Sequence, residues 1–170
     1  QNNYLRGDLT EGLPVSAYSG NSYDDWGGSN GGPGRYAFDN LTTTKALFRF
    51  GYNGINAVQP LTIDLGYAQR VGGLGLTTVD TQNWGTGVQA DPRKYELWGS
   101  NDGLHFEKMA SGDLSPPTQR QTDFPDVRFD NTTAYRYYQL KLAGSNDYWT
   151  AVSEIRLLPA TSESTHPYEK

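Results

Sequence analysis

The chain has 170 residues, a length typical of one domain, and it combines twelve Tyr, six Phe and four Trp with a formal net charge of −5 and no cysteine. Few charges and many aromatic side chains exclude a disordered chain, and the composition is not that of a helical bundle. No cluster of Lys and Arg exceeds two adjacent residues, which argues against nucleic-acid binding, and the lack of cysteine excludes disulfides and a cysteine-based zinc site.

Short segments of β-strand character follow one another along the chain. They lie at 61–65, 95–98, 104–109, 137–142 and 154–157. The first of them places Leu61, Ile63 and Leu65 on one face, and the Asp-Gly dipeptide at 102–103 predicts a hairpin turn between the second and third. No segment has a sustained helical period. We therefore predict an all-β sandwich over residues 1–160 and a frayed polar tail over residues 161–170.

Long loops separate the predicted strands, at 18–35, 50–59, 77–92, 111–125 and 144–150. Loops of this length in a compact domain are usually functional. They contain Trp26, Trp84 and Trp149, whereas Trp98 lies within a predicted strand and is expected to be part of the core. The first three tryptophans are therefore the candidates for ligand contact. No apolar run approaches the roughly 20 residues of a membrane span, so membrane insertion is not expected.

Four segments, in order, resemble those of discoidin domains, also called coagulation factor V/VIII C-terminal domains. They are Ala37–Lys45, Leu61–Gly66, Asp91–Phe106 and Val152–Leu157, the third reading D-P-R-K-Y-E-L-W-G-S-N-D-G-L-H-F. The resemblance is nearest to the family 32 carbohydrate-binding modules of bacteria. It implies a jelly-roll β-sandwich of the galactose-binding-domain type.

The resemblance also implies a structural calcium ion. Asp39 and Glu154 would supply carboxylates and Thr44 a hydroxyl or carbonyl oxygen, with backbone carbonyls from the remaining positions Tyr36, Leu41 and Ser153. Ca²⁺ prefers about six to eight such oxygen ligands. The alternative is that Asp39 only caps a turn and that Glu154 faces solvent on a strand.

A sugar site is expected in the loops at one end of the sandwich, as in the resembling family. The segment 78–89 is the richest, because it combines Trp84 as a stacking ring with polar groups that can bind hydroxyls. These groups are Asp80, Gln82, Asn83 and Gln89, and further candidates are Trp26, Tyr52 and Trp149. Trp149 has the alternative role of a lid over the core. Many galactose-binding members carry Arg in this loop and His elsewhere; here the loop has neither, so a neutral, hydroxyl-rich glycan is expected.

No catalytic pattern accompanies these groups. Loop carboxylates such as Asp80 and Asp91 are more typical of turns, and His105 and His166 lie in a hairpin and in the tail. The prediction is a non-catalytic module that binds an oligo- or polysaccharide, as a monomer within a larger secreted or cell-surface bacterial protein. The alternative is a discoidin-type domain for protein or cell-surface adhesion, since loop Tyr and Trp also suit protein contacts.

Overall fold

The computed structural model describes residues 7–21, 31–49, 54–80, 90–144 and 149–160. Within these ranges the chain forms eleven strands and three short 3₁₀ helices. The strands are β1 (Tyr18–Ser19), β2 (Gly31–Gly32), β3 (Lys45–Arg49), β4 (Leu61–Gln69), β5 (Val71–Thr77), β6 (Pro92–Ser100), β7 (Glu107–Asp113), β8 (Val127–Arg128), β9 (Tyr135–Gly144), β10 (Trp149–Val152) and β11 (Glu154–Pro159). The helices are Val15–Ala17, Gly34–Ala37 and Gly54–Ala57. The predicted tail, 161–170, lies outside the described residues.

The strands form three sheets. The largest has the order β1-β4-β9-β6-β7 and is antiparallel throughout. The other two have the orders β10-β3-β2 and β11-β5-β8, with β2 parallel to β3. One buried cluster joins apolar side chains of β4, β6 and β9 to those of β3, β5 and β11. The large sheet therefore packs on the two smaller ones, and the predicted all-β jelly-roll sandwich is confirmed.

Alternation in β4 and β9 produces the core as the sequence predicts. Leu61, Ile63, Tyr138 and Leu140 are fully buried, and the residues between them are partly exposed. In β5, by contrast, all seven residues are buried, on both faces of the strand. A side chain at Gly72 would collide with Ala160, so this glycine allows the end of β11 to lie against β5.

The prediction that Trp98 belongs to the core is wrong. Tyr95 and Leu97 point into the core, and alternation along β6 turns Trp98 onto the outer face of the large sheet. Its Nε1–H donates to Glu96 Oε1 at 3.0 Å, and the ammonium groups of Lys108 and Lys141 lie 5.9 and 5.6 Å from the ring centroid. The ring and lysines form a cation–π cluster on the surface.

The predicted hairpin at Asp102–Gly103 joins β6 to β7. Asp102 Oδ1 accepts the backbone N–H groups of Leu104 and His105 at 2.8 Å, and Asp102 Oδ2 lies 2.7 Å from His105 Nδ1. The hydrogen bond that the His105 ring donates to Asp102, with the attraction between the opposite charges, raises the pKa of His105, and the same hydrogen bond lowers the pKa of Asp102. In the ranges that the structure describes, no helix has the length and hydropathy needed to cross a bilayer.

We expect substitution of Asp102 by Asn to lower the pKa of His105 towards its usual value of about 6.5. Because the folded-state pKa is raised, the pair stabilises the fold below the unfolded-state pKa. That stabilisation is lost as pH rises through the folded-state value. An NMR titration of the His105 ring in wild type and Asp102→Asn measures both midpoints. Equal midpoints would show that Asp102 does not raise the pKa of His105.

Candidate functional site

Strand pairing brings the described ends of three connections together at one end of the sandwich, here called the loop end. Pro92 at the start of β6 pairs with Gly144 at the end of β9, and Leu114 N–H donates to Arg93 O at 2.8 Å. Thr150 Oγ donates to Ala90 O at 2.9 Å, which joins the start of β10 to the same region. The residues that flank the connections after β5, β7 and β9 therefore lie close together, as a binding site built from several loops requires.

Most of the predicted sugar contacts lie outside the described residues. These are Trp26, Tyr52, Gln82, Asn83, Trp84 and Gln89. Trp149 begins β10, where its backbone pairs with that of Arg49. Their roles stay predictions, and the structure defines the stems on which the 81–89 loop stands.

Asp80 is at the first stem of the 81–89 loop. Its Oδ1 lies 3.4 Å from Nζ of Lys45, and the two side chains are 14% and 3% exposed. A buried ammonium group is costly without an opposite charge nearby, so this pair anchors the stem to the start of β3. The pairing gives Asp80 a structural contact in addition to its predicted contact with sugar.

Asp91 is at the second stem, and the structure pairs it with a residue that sequence reasoning missed. Nη1 and Nη2 of Arg120 donate to the two carboxylate oxygens of Asp91 at 3.0 and 2.7 Å. The Asp91 side chain is only 1% exposed and that of Arg120 12%. Arg120 Nη2 also donates to Pro117 O at 3.2 Å. This bidentate pair fixes the 114–122 loop to the base of the 81–89 loop.

Four of the residues predicted to bind calcium lie together at the turn after the Gly34–Ala37 helix. The Thr44 hydroxyl donates to Asp39 Oδ2 at 2.6 Å and lies 3.3 Å from the carbonyl oxygen of Tyr36. The backbone N–H of Leu41 donates to Asp39 Oδ1 at 3.0 Å. Asp39 therefore caps the turn, and the same contacts gather hard oxygen atoms in one place.

The remaining predicted ligands, Ser153 and Glu154, lie just before and at the start of β11, near the other end of the chain. Glu154 is 6% exposed, so the alternative in which it faces solvent is wrong. Its strand β11 lies beside the Gly34–Ala37 helix that contains Tyr36. The Ser153 hydroxyl donates to the carbonyl oxygen of Thr78 at 2.8 Å, close to the first stem of the 81–89 loop.

The donor set fits Ca²⁺ rather than a transition metal. It consists of two carboxylates, a hydroxyl and backbone carbonyls, which are the oxygen ligands that Ca²⁺ prefers. Among the described residues, no group of three or more His, Cys, Asp or Glu side chains is arranged to hold a metal ion. Beyond its two carboxylates, the predicted calcium set would therefore depend on hydroxyl and backbone carbonyl oxygens.

Asn40 supplies the backbone bend of this turn, with φ at +61°. The resembling segments have Gly at this position, and Asn is one of the residues that tolerate left-handed backbone. We expect Asn40→Ala to lower the free energy of unfolding by about 1 kcal/mol, whereas Asn40→Gly should leave it nearly unchanged. Urea denaturation of both variants tests this, and equal losses would show that the bend is not the cause.

The comparisons with known proteins agree with this fold. The family model of the F5/8 type C domain matches residues 16–155. The chain belongs to the F5/8 type C domain family. No curated protein matches the chain at significant similarity.

Solved structures share the fold of this F5/8 type C domain at low sequence identity. The module CpGH89CBM32-5 from Clostridium perfringens, in complex with GalNAc-β-1,3-galactose, is 19% identical, with a TM-score of 0.61 over 86% of this chain and 98% of that one. The family 32 module of C. perfringens NanJ, in complex with galactose, is 19% identical, with a TM-score of 0.58 over 84% and 94%. A pectin-binding module is 18% identical, with a TM-score of 0.58 over 85% and 94%.

Proposed function

We propose that this F5/8 type C domain is a non-catalytic carbohydrate-binding module that binds a neutral glycan at its loop end. The observation that carries the proposal is the pair of buried ion pairs, Lys45–Asp80 and Arg120–Asp91, which fix both stems of the 81–89 loop. These pairs hold the two ends of the segment that carries the predicted stacking ring of Trp84 and the predicted amide contacts. The carbohydrate-binding relatives on the same fold support this assignment.

The charge at the loop end favours a neutral glycan over an anionic one. The two cations described at the stems, Lys45 and Arg120, are already paired with carboxylates. The chain as a whole carries a net charge of −5. An anionic polysaccharide would meet an acidic protein whose described stem cations are already engaged, which disfavours binding.

We also propose that Ca²⁺ binds at Asp39, Thr44 and Glu154, with carbonyls of Tyr36, Leu41 and Ser153 completing the set. The ion would neutralise two carboxylates that come from opposite ends of the chain. Asp39 orients the turn through its contacts with Thr44 and Leu41, and Ser153 ties the same region to Thr78. This role is structural, because it holds the turn and β11 together beside the loop end.

The described loop carboxylates argue for binding rather than hydrolysis. Glycoside hydrolysis needs two carboxyl groups about 5–9.5 Å apart that can exchange protons with substrate. Asp91 is buried in its bidentate pair with Arg120, and Asp80 is held near Lys45. Neither is suited to act as a general acid or base. We infer a monomeric module that directs a larger extracellular protein to its glycan.

A glycan array, followed by calorimetry on the strongest hit, tests the proposed function. We expect saturable binding to a neutral glycan. If no glycan binds above background and a pull-down recovers a protein partner, the discoidin-type adhesion function replaces this one.

A further inference from the structure

A cavity that is open to solvent lies at the opposite end of the sandwich from the loop end. The nine residues of β6 separate the two ends by roughly 26 Å. The cavity has a volume of about 500 Å³ and lies between the β6–β7 hairpin and the start of β9. Its lining includes Ser100, Asp102, His105, Glu107, Thr133 and Tyr135. Its volume falls within the range of about 300–1,000 Å³ that is typical of small-molecule sites.

The walls of this hairpin cavity are held rigidly by the chain's own hydrogen bonds. The Ser100 hydroxyl donates to Asp102 Oδ1 at 2.9 Å and accepts the Gly103 N–H at 3.0 Å. The Asn101 amide donates to Ala134 O at 3.0 Å and accepts the Arg136 N–H at 2.9 Å. These bonds fasten the hairpin to β9, so the cavity is formed before any ligand arrives.

Three lining side chains keep polar groups for a ligand. The Asp102 carboxylate engages Nδ1 of His105, which leaves Nε2 of that ring as the group available for binding. In the ranges described, no hydrogen bond engages the carboxylate of Glu107 or the hydroxyl of Tyr135. The lining therefore offers an imidazole, a carboxylate and a phenol on a rigid frame.

Tyr135 also supplies an apolar wall. Its ring packs on Gly99, where an added Cβ would collide with it, and meets Tyr138 edge-on with ring centroids 5.8 Å apart. An aromatic wall with a few fixed polar groups is the chemistry that binds a pyranose, since the sugar has apolar C–H faces and hydroxyls at its edge. The carboxylates of Asp102 and Glu107 disfavour an anionic sugar.

We propose that the hairpin cavity is a second saccharide-binding site, for a neutral sugar residue. Tyr135 provides the apolar wall, and Glu107 and His105 bind hydroxyl groups. The site stands on observations separate from those at the loop end. Two sites at opposite ends would let one domain bridge two glycan chains and raise its avidity for a dense glycan surface.

The test is an amide NMR titration with galactose, cellobiose and N,N′-diacetylchitobiose, in wild type and in Trp84→Ala, which removes the proposed loop-end ring. We expect at least one sugar to give saturable shifts at 99–107 and 133–135 in both proteins. The double variant His105→Ala/Glu107→Ala should weaken this binding by about tenfold or more. Leu104→Ala, at a side chain outside the cavity lining that is 79% exposed, is the matched control and should have no effect.

The outcomes separate the two sites. Shifts at the hairpin cavity without any at the loop end would support the second site and count against the proposed function. Shifts confined to the loop end, or none with any of the three sugars, would overturn the second site. Equal weakening by Leu104→Ala and the double variant would also overturn it.

Discussion

Replacement of Arg120 by Met should lower the free energy of unfolding by about 3–5 kcal/mol, because it leaves the buried carboxylate of Asp91 without its cation. The Asp91 side chain is 1% exposed, and both of its oxygens accept hydrogen bonds from Arg120. Water cannot replace those bonds unless the 114–122 loop moves away from the stem. Chemical denaturation of the purified domain measures the change.

Two further variants show whether burial is the cause. Lys94→Met breaks a pair with Asp113 at 2.7 Å whose side chains are 62% and 81% exposed, so its cost should be within about 1 kcal/mol. Asp91→Asn, added to Arg120→Met, should recover much of the loss by removing the buried charge. Equal small losses for Arg120→Met and Lys94→Met would contradict the anchoring role of the Asp91 pair.

Chelation of the proposed calcium ion should produce the second large loss of stability. A ligand that binds only the native state stabilises it by about 2.7 kcal/mol at a hundredfold excess over Kd. Since a domain of this size changes in Tm by about 2–4 °C per kcal/mol, EDTA should lower the Tm by roughly 5–11 °C. The reason is that the carboxylates of Asp39 and the buried Glu154 would lose the cation proposed to neutralise them.

Substitution of the residues proposed to bind calcium should abolish the effect of EDTA on the Tm. Asp39→Ala and Glu154→Gln should melt at the same temperature with and without the chelator. Asp113→Asn, at an exposed carboxylate in β7, is the control and should keep the wild-type response. An unchanged wild-type Tm in EDTA, with no metal found by elemental analysis, would contradict the proposed calcium site.

Local patterns predicted the parts of the fold that alternate in burial. Strands β4, β9 and β11 and the hairpin at Asp102 were predicted because period-2 alternation and turn chemistry are visible in a short stretch of sequence. Strand β5 was missed because three of its seven residues are glycines and both of its faces are buried. The prediction for Trp98 is wrong because a position within a strand does not fix which face a side chain is on, and Trp98 directly follows the buried Leu97.

Some residues of the candidate site could be predicted from the sequence, and others could not. The resemblance led to Asp39, Thr44 and Glu154, and the structure brings Asp39 to Thr44 and buries Glu154. Arg120 was missed because its partner Asp91 is 29 residues away and no local pattern marks such a pair. The same holds for Lys45 and Asp80, which are far apart in the sequence and meet only in the folded chain.

The claim that the loop end binds a glycan is tested most directly by calorimetry on the strongest glycan from the array, with two tryptophan variants compared. Trp84→Ala should weaken binding by about 1–3 kcal/mol, or roughly 5–150-fold in Kd, while Trp98→Ala, on the outer face of the large sheet, should bind like wild type. Wild-type affinity in folded Trp84→Ala, or an equal loss in Trp98→Ala, would contradict a binding site centred on the 81–89 loop.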